Sequence, residues 1–184
     1  MNRTLRFGFE VAAAAALLAA VPGAAAAQQL FNFTASALGG IGGAVDAEPG
    51  DGIGNRSYQL GFAVVTEPST LVGLRLGTID FGSGQVGNLV DASLNYLTVA
   101  GEYRFQESYF DSGLYLGLGG YQLEGTRLGG GSDDKTAIGL VVGATGEFTL
   151  NRHLGVLIEL SGHYSDLDEA KFFGMVQGGL AFHF

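Results

Sequence analysis

The chain has 184 residues, no cysteine and a formal net charge of −9, with 18 acidic residues against nine lysines and arginines. This length suits a single domain, and the missing thiols exclude disulfides and thiolate–metal sites. The acidic balance argues against nucleic acid as a partner. We therefore expect no nucleic-acid binding, no cofactor and no metal.

The N-terminus has the pattern of a cleavable export signal. Arg3 and Arg6 supply positive charge, residues 11–21 form an apolar run, and a Pro-Gly pair followed by small residues ends it. Such a run is too short to cross a hydrocarbon core of about 30 Å as a helix. The sequence thus predicts a signal peptide over residues 1–27 and one β-barrel domain over residues 28–184.

The remaining chain alternates apolar and polar residues with a period of two, as in LGVLIELSGHYS at 154–165. This period is typical of β-strands. The predicted strands are 29–45, 57–65, 71–81, 93–105, 113–123, 137–150, 154–165 and 172–184.

The connections between these eight strands are alternately long and short, and the first is long. An up-and-down membrane barrel with both chain termini on one side shows this alternation, with short periplasmic turns and longer outer loops. An even number of strands that closes on itself also leaves no exposed edge. The predicted fold class is therefore all-β, an eight-stranded antiparallel up-and-down transmembrane β-barrel.

The two faces of the strands differ in chemistry. One face carries large apolar residues such as Leu140 and Ile158, and the other carries glycine, small and polar residues. A water-facing protein surface is about 25–35% charged. The second face is far poorer in charge than that, so we expect it to line a narrow lumen while the apolar face contacts lipid. Its charged residues are Arg75, Glu102, Arg104, Glu147 and Glu159.

Charges inside a narrow lumen must pair, because an isolated buried charge is costly. We predict that these five residues form a salt-bridge network that plugs the barrel. A pore with a charged constriction is the alternative interpretation.

Aromatic residues are grouped near both ends of the predicted strands, as in the girdles that mark the two interfaces of a membrane barrel. The predicted girdle consists of Phe31, Phe33, Tyr58, Tyr103, Phe105, Phe148, Tyr164 and Phe172.

The sequence has an export signal, eight predicted strands, alternating long and short connections and the ending VQGGLAFHF. In these features it resembles the OmpA/OmpX-type small outer-membrane β-barrels of Gram-negative bacteria. The resemblance implies export by the signal peptide and residence in the bacterial outer membrane, among lipid and lipopolysaccharide. It also implies periplasmic chaperones and the barrel-assembly machinery as biogenesis partners, with Phe182 and Phe184 as the assembly signal. This architecture hosts structural proteins, adhesins and enzymes.

One such enzyme class, the lipid A deacylases, uses a His-x-Ser pair with a nearby Glu, and His163 and Ser165 have that spacing. Glu159 or Glu169 would orient the imidazole in this alternative. The alternation, however, places both residues toward the lumen, whereas the site of that family faces lipid. We therefore favour a polar lumen role.

The acidic pairs and clusters in the connections, at 133–134 and 166–169, lack the spacing of a calcium-binding loop. We interpret them as solvated loop charges. The sequence as a whole predicts a monomeric, non-catalytic envelope protein with a structural or adhesin-like role. A soluble lipocalin-like carrier, with the apolar face turned inward, is the remaining alternative.

Overall fold

The computed structural model describes residues 33–46, 54–82, 84–107 and 109–184. The predicted signal peptide and Phe31 lie outside them. Within these ranges the chain forms eight long β-strands and one of two residues. They are β1 (Phe33–Ala44), β2 (Asn55–Glu67), β3 (Thr70–Asp80), β4 (Gln85–Val86), β5 (Leu89–Phe105), β6 (Phe110–Arg127), β7 (Ser132–Asn151), β8 (Leu154–Ser165) and β9 (Phe172–His183).

The long strands form a closed antiparallel sheet in the order β3-β2-β1-β9-β8-β7-β6-β5, and β3 pairs back with β5. The short β4 pairs only with the start of β5. Because the sheet closes on itself, neither side of the barrel leaves an edge strand. The predicted eight-stranded up-and-down β-barrel is confirmed.

The strict alternation of long and short connections is wrong. Residues 124–136, predicted as a long loop, mostly continue β6 and β7 into a hairpin that turns at 128–131. Gly130 and Gly131 make this tight turn possible, because both have positive φ (87° and 100°) and a side chain would be strained there. The turn is no longer than the connection at 106–109.

The barrel has two ends, which differ in the connections that they carry. The loop side carries the connections after β1, β3, β6 and β8, and the turn side carries those after β2, β5 and β7.

The apolar face points outward and the polar face inward. Leu116, Leu140 and Ile158 are 65%, 47% and 49% exposed, whereas Arg75 and Glu159 are 8% and 2% exposed. Strand alternation alone explains this separation, because neighbouring side chains in a strand leave opposite faces. None of the described residues forms a helix that is long and apolar enough to cross a membrane.

The interior has two halves of different chemistry. The turn-side half holds the charged residues, and the loop-side half holds an apolar cluster. The cluster consists of Ala44, Ile79, Phe81, Val86, Leu89, Ala92, Leu94, Tyr96, Tyr121, Leu123, Leu167, Ala170, Phe173 and Met175. The sequence analysis did not predict this apolar half. Leu167 and Ala170 come from a connection, and strand residues such as Ile79 and Leu94 point inward although they are apolar.

Candidate functional site

The charged residues of the lumen form a continuous chain of ion pairs. Arg75 Nη2 lies 2.8 Å from Glu102 Oε2, and Arg75 Nε lies 3.3 Å from Glu159 Oε2. Arg104 Nε lies 3.0 Å from Glu102 Oε1, and its Nη1 lies 3.2 Å from Glu147 Oε2. The structure therefore brings together all five charged residues singled out in the sequence, and each arginine bridges two carboxylates.

Neutral side chains satisfy the remaining oxygens of Glu159. Tyr115 Oη donates to Glu159 Oε1 at 2.8 Å, and Gln59 Nε2 donates to the same atom at 3.0 Å. Tyr96 Oη in turn donates to Gln59 Oε1 at 2.8 Å. The guanidinium of Arg75 also lies over the Tyr115 ring, 3.8 Å from its centre, in a cation–π contact. This carboxylate is buried at low cost because it is fully hydrogen-bonded.

The turn-side end of the network is closed by His183. Its Nε2 lies 2.5 Å from Glu147 Oε1, and its Nδ1 lies 3.1 Å from Thr34 Oγ1. Thr145 Oγ1 donates to Glu102 Oε1 at 2.9 Å nearby. With these partners included, the network contains a side chain from each of the eight long strands.

Glycines on the inner face make room for these large side chains. A Cβ at Gly77 would lie 2.2 Å from Tyr96 Oη, and one at Gly143 would lie 2.3 Å from the Tyr115 ring. A Cβ at Gly155 would lie 2.2 Å from Glu147 Oε1. A narrow barrel can therefore hold bulky polar groups only where the facing strand has no side chain.

The sequence analysis missed Tyr96, Tyr115, Tyr121 and His183 as lumen residues. The alternation along the strands predicts that Tyr96 and Tyr115 point inward. Tyr96 has the phase of inward-facing Thr98, and Tyr115 lies between two outward-facing leucines.

The space left in the network is small. A cavity of about 30 Å³ remains among Arg75, Glu102, Arg104 and Glu159, with Thr34 and Thr145 also on its wall. A cavity of this size has room for only a few water molecules. The turn-side lumen is thus filled by side chains.

His163 and Ser165 face the lumen but do not form a catalytic pair. His163 Nδ1 lies 3.0 Å from Tyr121 Oη, and its Nε2 lies 3.2 Å from Ser161 Oγ. The buried Ser165 hydroxyl has no hydrogen-bond partner among the described atoms. Glu159 is engaged by Arg75 and its neighbours, so nucleophile, base and orienting carboxylate are not assembled.

Glu169, the other candidate to orient the imidazole, instead contacts the Lys135 ammonium on the loop side. This hydrogen bond raises the pKa of Lys135 above its ordinary value, because Glu169 stabilises the charged form. Arg127 Nη2 lies 3.0 Å from Asp133 Oδ2 on the adjoining hairpin. No group of three or more potential ligands that could hold a metal occurs in the ranges that the structure describes.

The described members of the aromatic girdle are all at least partly exposed on the outer face. Several stand in pairs. Tyr103 and Phe105 have ring centres 5.0 Å apart on the turn side, and Tyr164 and Phe172 lie 5.1 Å apart on the loop side. Phe182 and Phe184, the predicted assembly signal, are exposed as well.

No family model and no curated protein matches this sequence. Solved structures do match. Neisserial surface protein A has a TM-score of 0.64 at 15% identity, covering 84% of this chain and 97% of its own. The N-terminal β-barrel domain of OprF from Pseudomonas aeruginosa has a TM-score of 0.61 at 13% identity, with the same coverage.

The attachment invasion locus protein Ail of Yersinia pestis has a TM-score of 0.54 at 17% identity, covering 84% of this chain and 97% of its own. The fold is that of a small outer-membrane β-barrel. At these identities the likeness extends to the fold alone, and the resemblance stated from the sequence is confirmed at that level. A shared fold does not determine function.

Proposed function

We propose that this chain is a non-catalytic integral protein of the bacterial outer membrane that stabilises the envelope or presents its loop side to the medium. The outward apolar face supports this placement. Large side chains such as Leu114, Leu118 and Val142 are about 60% exposed on neighbouring strands. A soluble monomer rarely carries a contiguous apolar surface of this extent, whereas a membrane barrel requires it.

The filled lumen is the observation that best supports a role without transport. The ion pairs and their hydrogen-bonded partners join all eight long strands, and apolar side chains pack together in the loop-side half. Eight strands enclose little more space than their own side chains need. The barrel is therefore a plugged scaffold, and interactions with other molecules occur at its loops and its outer surface.

The proposal includes the steps that bring the protein to this membrane. Residues 1–27 direct export, periplasmic chaperones carry the unfolded chain, and the assembly machinery reads the last strand with Phe182 and Phe184. The mature barrel resides in lipid and lipopolysaccharide as a monomer.

Two measurements test the proposal together. Unboiled protein from outer-membrane fractions should migrate faster in a gel than boiled protein. Purified protein in planar bilayers should give no steady single-channel current. Large steady currents would defeat the plugged scaffold, and mature protein that stays dissolved in plain buffer without detergent would defeat the membrane placement.

Deacylation of lipid A remains an alternative only if His163 and Ser165 rearrange, since the Ser165 hydroxyl makes no hydrogen bond to His163 in the structure. Purified protein should release no fatty acid from lipid A. Release that is lost in His163→Ala would establish the enzyme instead. A lipocalin-like carrier needs Leu140 and Ile158 inside an apolar cavity, and both point outward.

A further inference from the structure

The connection between β8 and β9, residues 166–171, lies across the loop-side end of the lumen. Leu167 and Ala170 point inward, are 2% and 4% exposed, and join the apolar cluster beside Phe173. The side chains of Asp166 and Asp168 are 81% and 90% exposed on the opposite face. The segment is thus amphipathic, with its apolar residues inserted into the barrel.

Backbone hydrogen bonds hold the two ends of this segment: Ser165 N–H donates to Lys171 O at 2.9 Å, and Asp166 N–H donates to Ile138 O at 3.5 Å. Residues 166–171 belong to no strand. The Asp46 carboxylate accepts hydrogen bonds from the backbone N–H of Lys171 at 2.8 Å and of Phe172 at 3.2 Å. Because residues 167–170 belong to no strand, they can leave their place without breaking the strand pairing of the barrel.

Lys135 of the β6–β7 hairpin attaches the middle of the segment through its ammonium. Its ammonium contacts Glu169 Oε1 and lies 3.5 Å from Asp168 Oδ2. Glu169 packs against Gly87, where a Cβ would lie only 2.9 Å from the Glu169 Cβ. The other oxygen of Glu169 has no partner among the described atoms. Lys135 is therefore the cation that compensates a nearly buried carboxylate.

This ion pair is also open to the medium. Lys135 and Glu169 line a cavity of about 460 Å³ between the β4–β5 turn, the β6–β7 hairpin and residues 166–171. The Lys135 side chain is 29% exposed there, so water and salt ions reach the ammonium. Loss of the cation would leave the Glu169 carboxylate buried without a counter-ion, which favours its release into water.

We propose that residues 166–171 form a lid over the loop-side half of the lumen and that the Lys135–Glu169 ion pair is its latch. When the pair breaks, Leu167 leaves the apolar cluster, and the buried side chains of Leu94 and Phe173 become exposed to the medium. The ion-pair network on the turn side stays closed beneath it. This device goes beyond the scaffold role, because it gives a plugged barrel two states on its loop side.

A cysteine reporter tests the lid directly. The chain has no cysteine, so Leu167→Cys introduces the sole thiol. Its reaction with a membrane-impermeant maleimide, measured on protein folded in lipid vesicles, should be slow. Adding Lys135→Met should speed labelling about tenfold or more, corresponding to about 1.4 kcal/mol or more in the opening equilibrium. Salt at about 1 M should act in the same direction, because it screens the exposed side of the pair.

Lys171→Met is the matched control. It also removes an ammonium, but the pair of Lys171 with Asp166 is 3.9 Å long and exposed, so labelling should not change. Asp168→Cys should react rapidly in every background. Lys135→Gln replaces Lys135→Met if that variant loses the gel mobility of a folded barrel.

Rapid labelling of the Leu167→Cys reporter without the latch substitution would overturn the lid. Equal rates with Lys135→Met and Lys171→Met would overturn the latch. Neither result bears on the plugged scaffold, which the bilayer currents test separately.

Discussion

His183 Nε2 lies 2.5 Å from Glu147 Oε1, and this contact joins β9 to β7 across the turn-side end of the lumen. The two strands are not neighbours in the sheet, since β8 lies between them. Glu147 is also held by Arg104 at 3.2 Å. Two arginines and this imidazole thus face the three carboxylates of the network, Glu102, Glu147 and Glu159.

Removing one arginine should destabilise the barrel strongly. Arg75→Met leaves Glu102 and Glu159 buried without their shared cation, so the free energy of unfolding should fall by about 3–5 kcal/mol. Urea unfolding in lipid vesicles measures the difference. Arg152→Met, at an exposed position in the β7–β8 turn, is the control and should change stability by less than about 0.5 kcal/mol. Equal stability of the two variants would show that the network does not hold the barrel together.

A methyl group on the inner wall should disturb the same network. In Gly155→Ala the new Cβ would lie 2.2 Å from Glu147 Oε1 and 2.9 Å from its Cγ and Cδ, so the glutamate must move. We expect a loss of about 1–3 kcal/mol in the free energy of unfolding. Gly101→Ala, which meets no atom within 4 Å, should be nearly neutral in the same assay. A neutral Gly155→Ala would mean that Glu147 is free to shift.

A charge on the outer face should reveal lipid contact. Leu116 is 65% exposed in the middle of β6, opposite Val142 of β7. In a membrane barrel, Leu116→Arg should cost about 2–4 kcal/mol, because the guanidinium enters the hydrocarbon. Thr136→Arg, near the loop-side end of β7, should cost no more than about 1 kcal/mol. An equal effect at both depths would count against the membrane placement.

The final aromatic residue should matter for assembly more than for stability. Phe184 is 73% exposed, and its backbone pairs with Phe33 whatever the side chain is. Phe184→Ala should therefore lower the amount of folded barrel in cells. Refolded purified protein should keep its stability within about 0.5 kcal/mol. Phe105→Ala, an outward aromatic on the turn side, serves as the control, and an identical loss of yield from both would contradict the assembly role.

The pairing inside the lumen shows where sequence reasoning stops. The inward direction of Arg75 and Glu102 follows from strand phase, because alternate side chains leave opposite faces. Their contact does not follow from it, since it depends on the register between β3 and β5. The same holds for Tyr115, whose position over Arg75 requires the curvature of the closed barrel.

The sequence by itself determined the eight long strands, their outward apolar face and the inward direction of the five charged residues. These properties rest on local alternation, which any single strand displays. Tertiary structure alone decided that Leu167 and Ala170 enter the lumen, that Lys135 meets Glu169, and that His183 closes the network. Each of these contacts joins segments far apart in the chain, and only closure of the barrel brings them within reach.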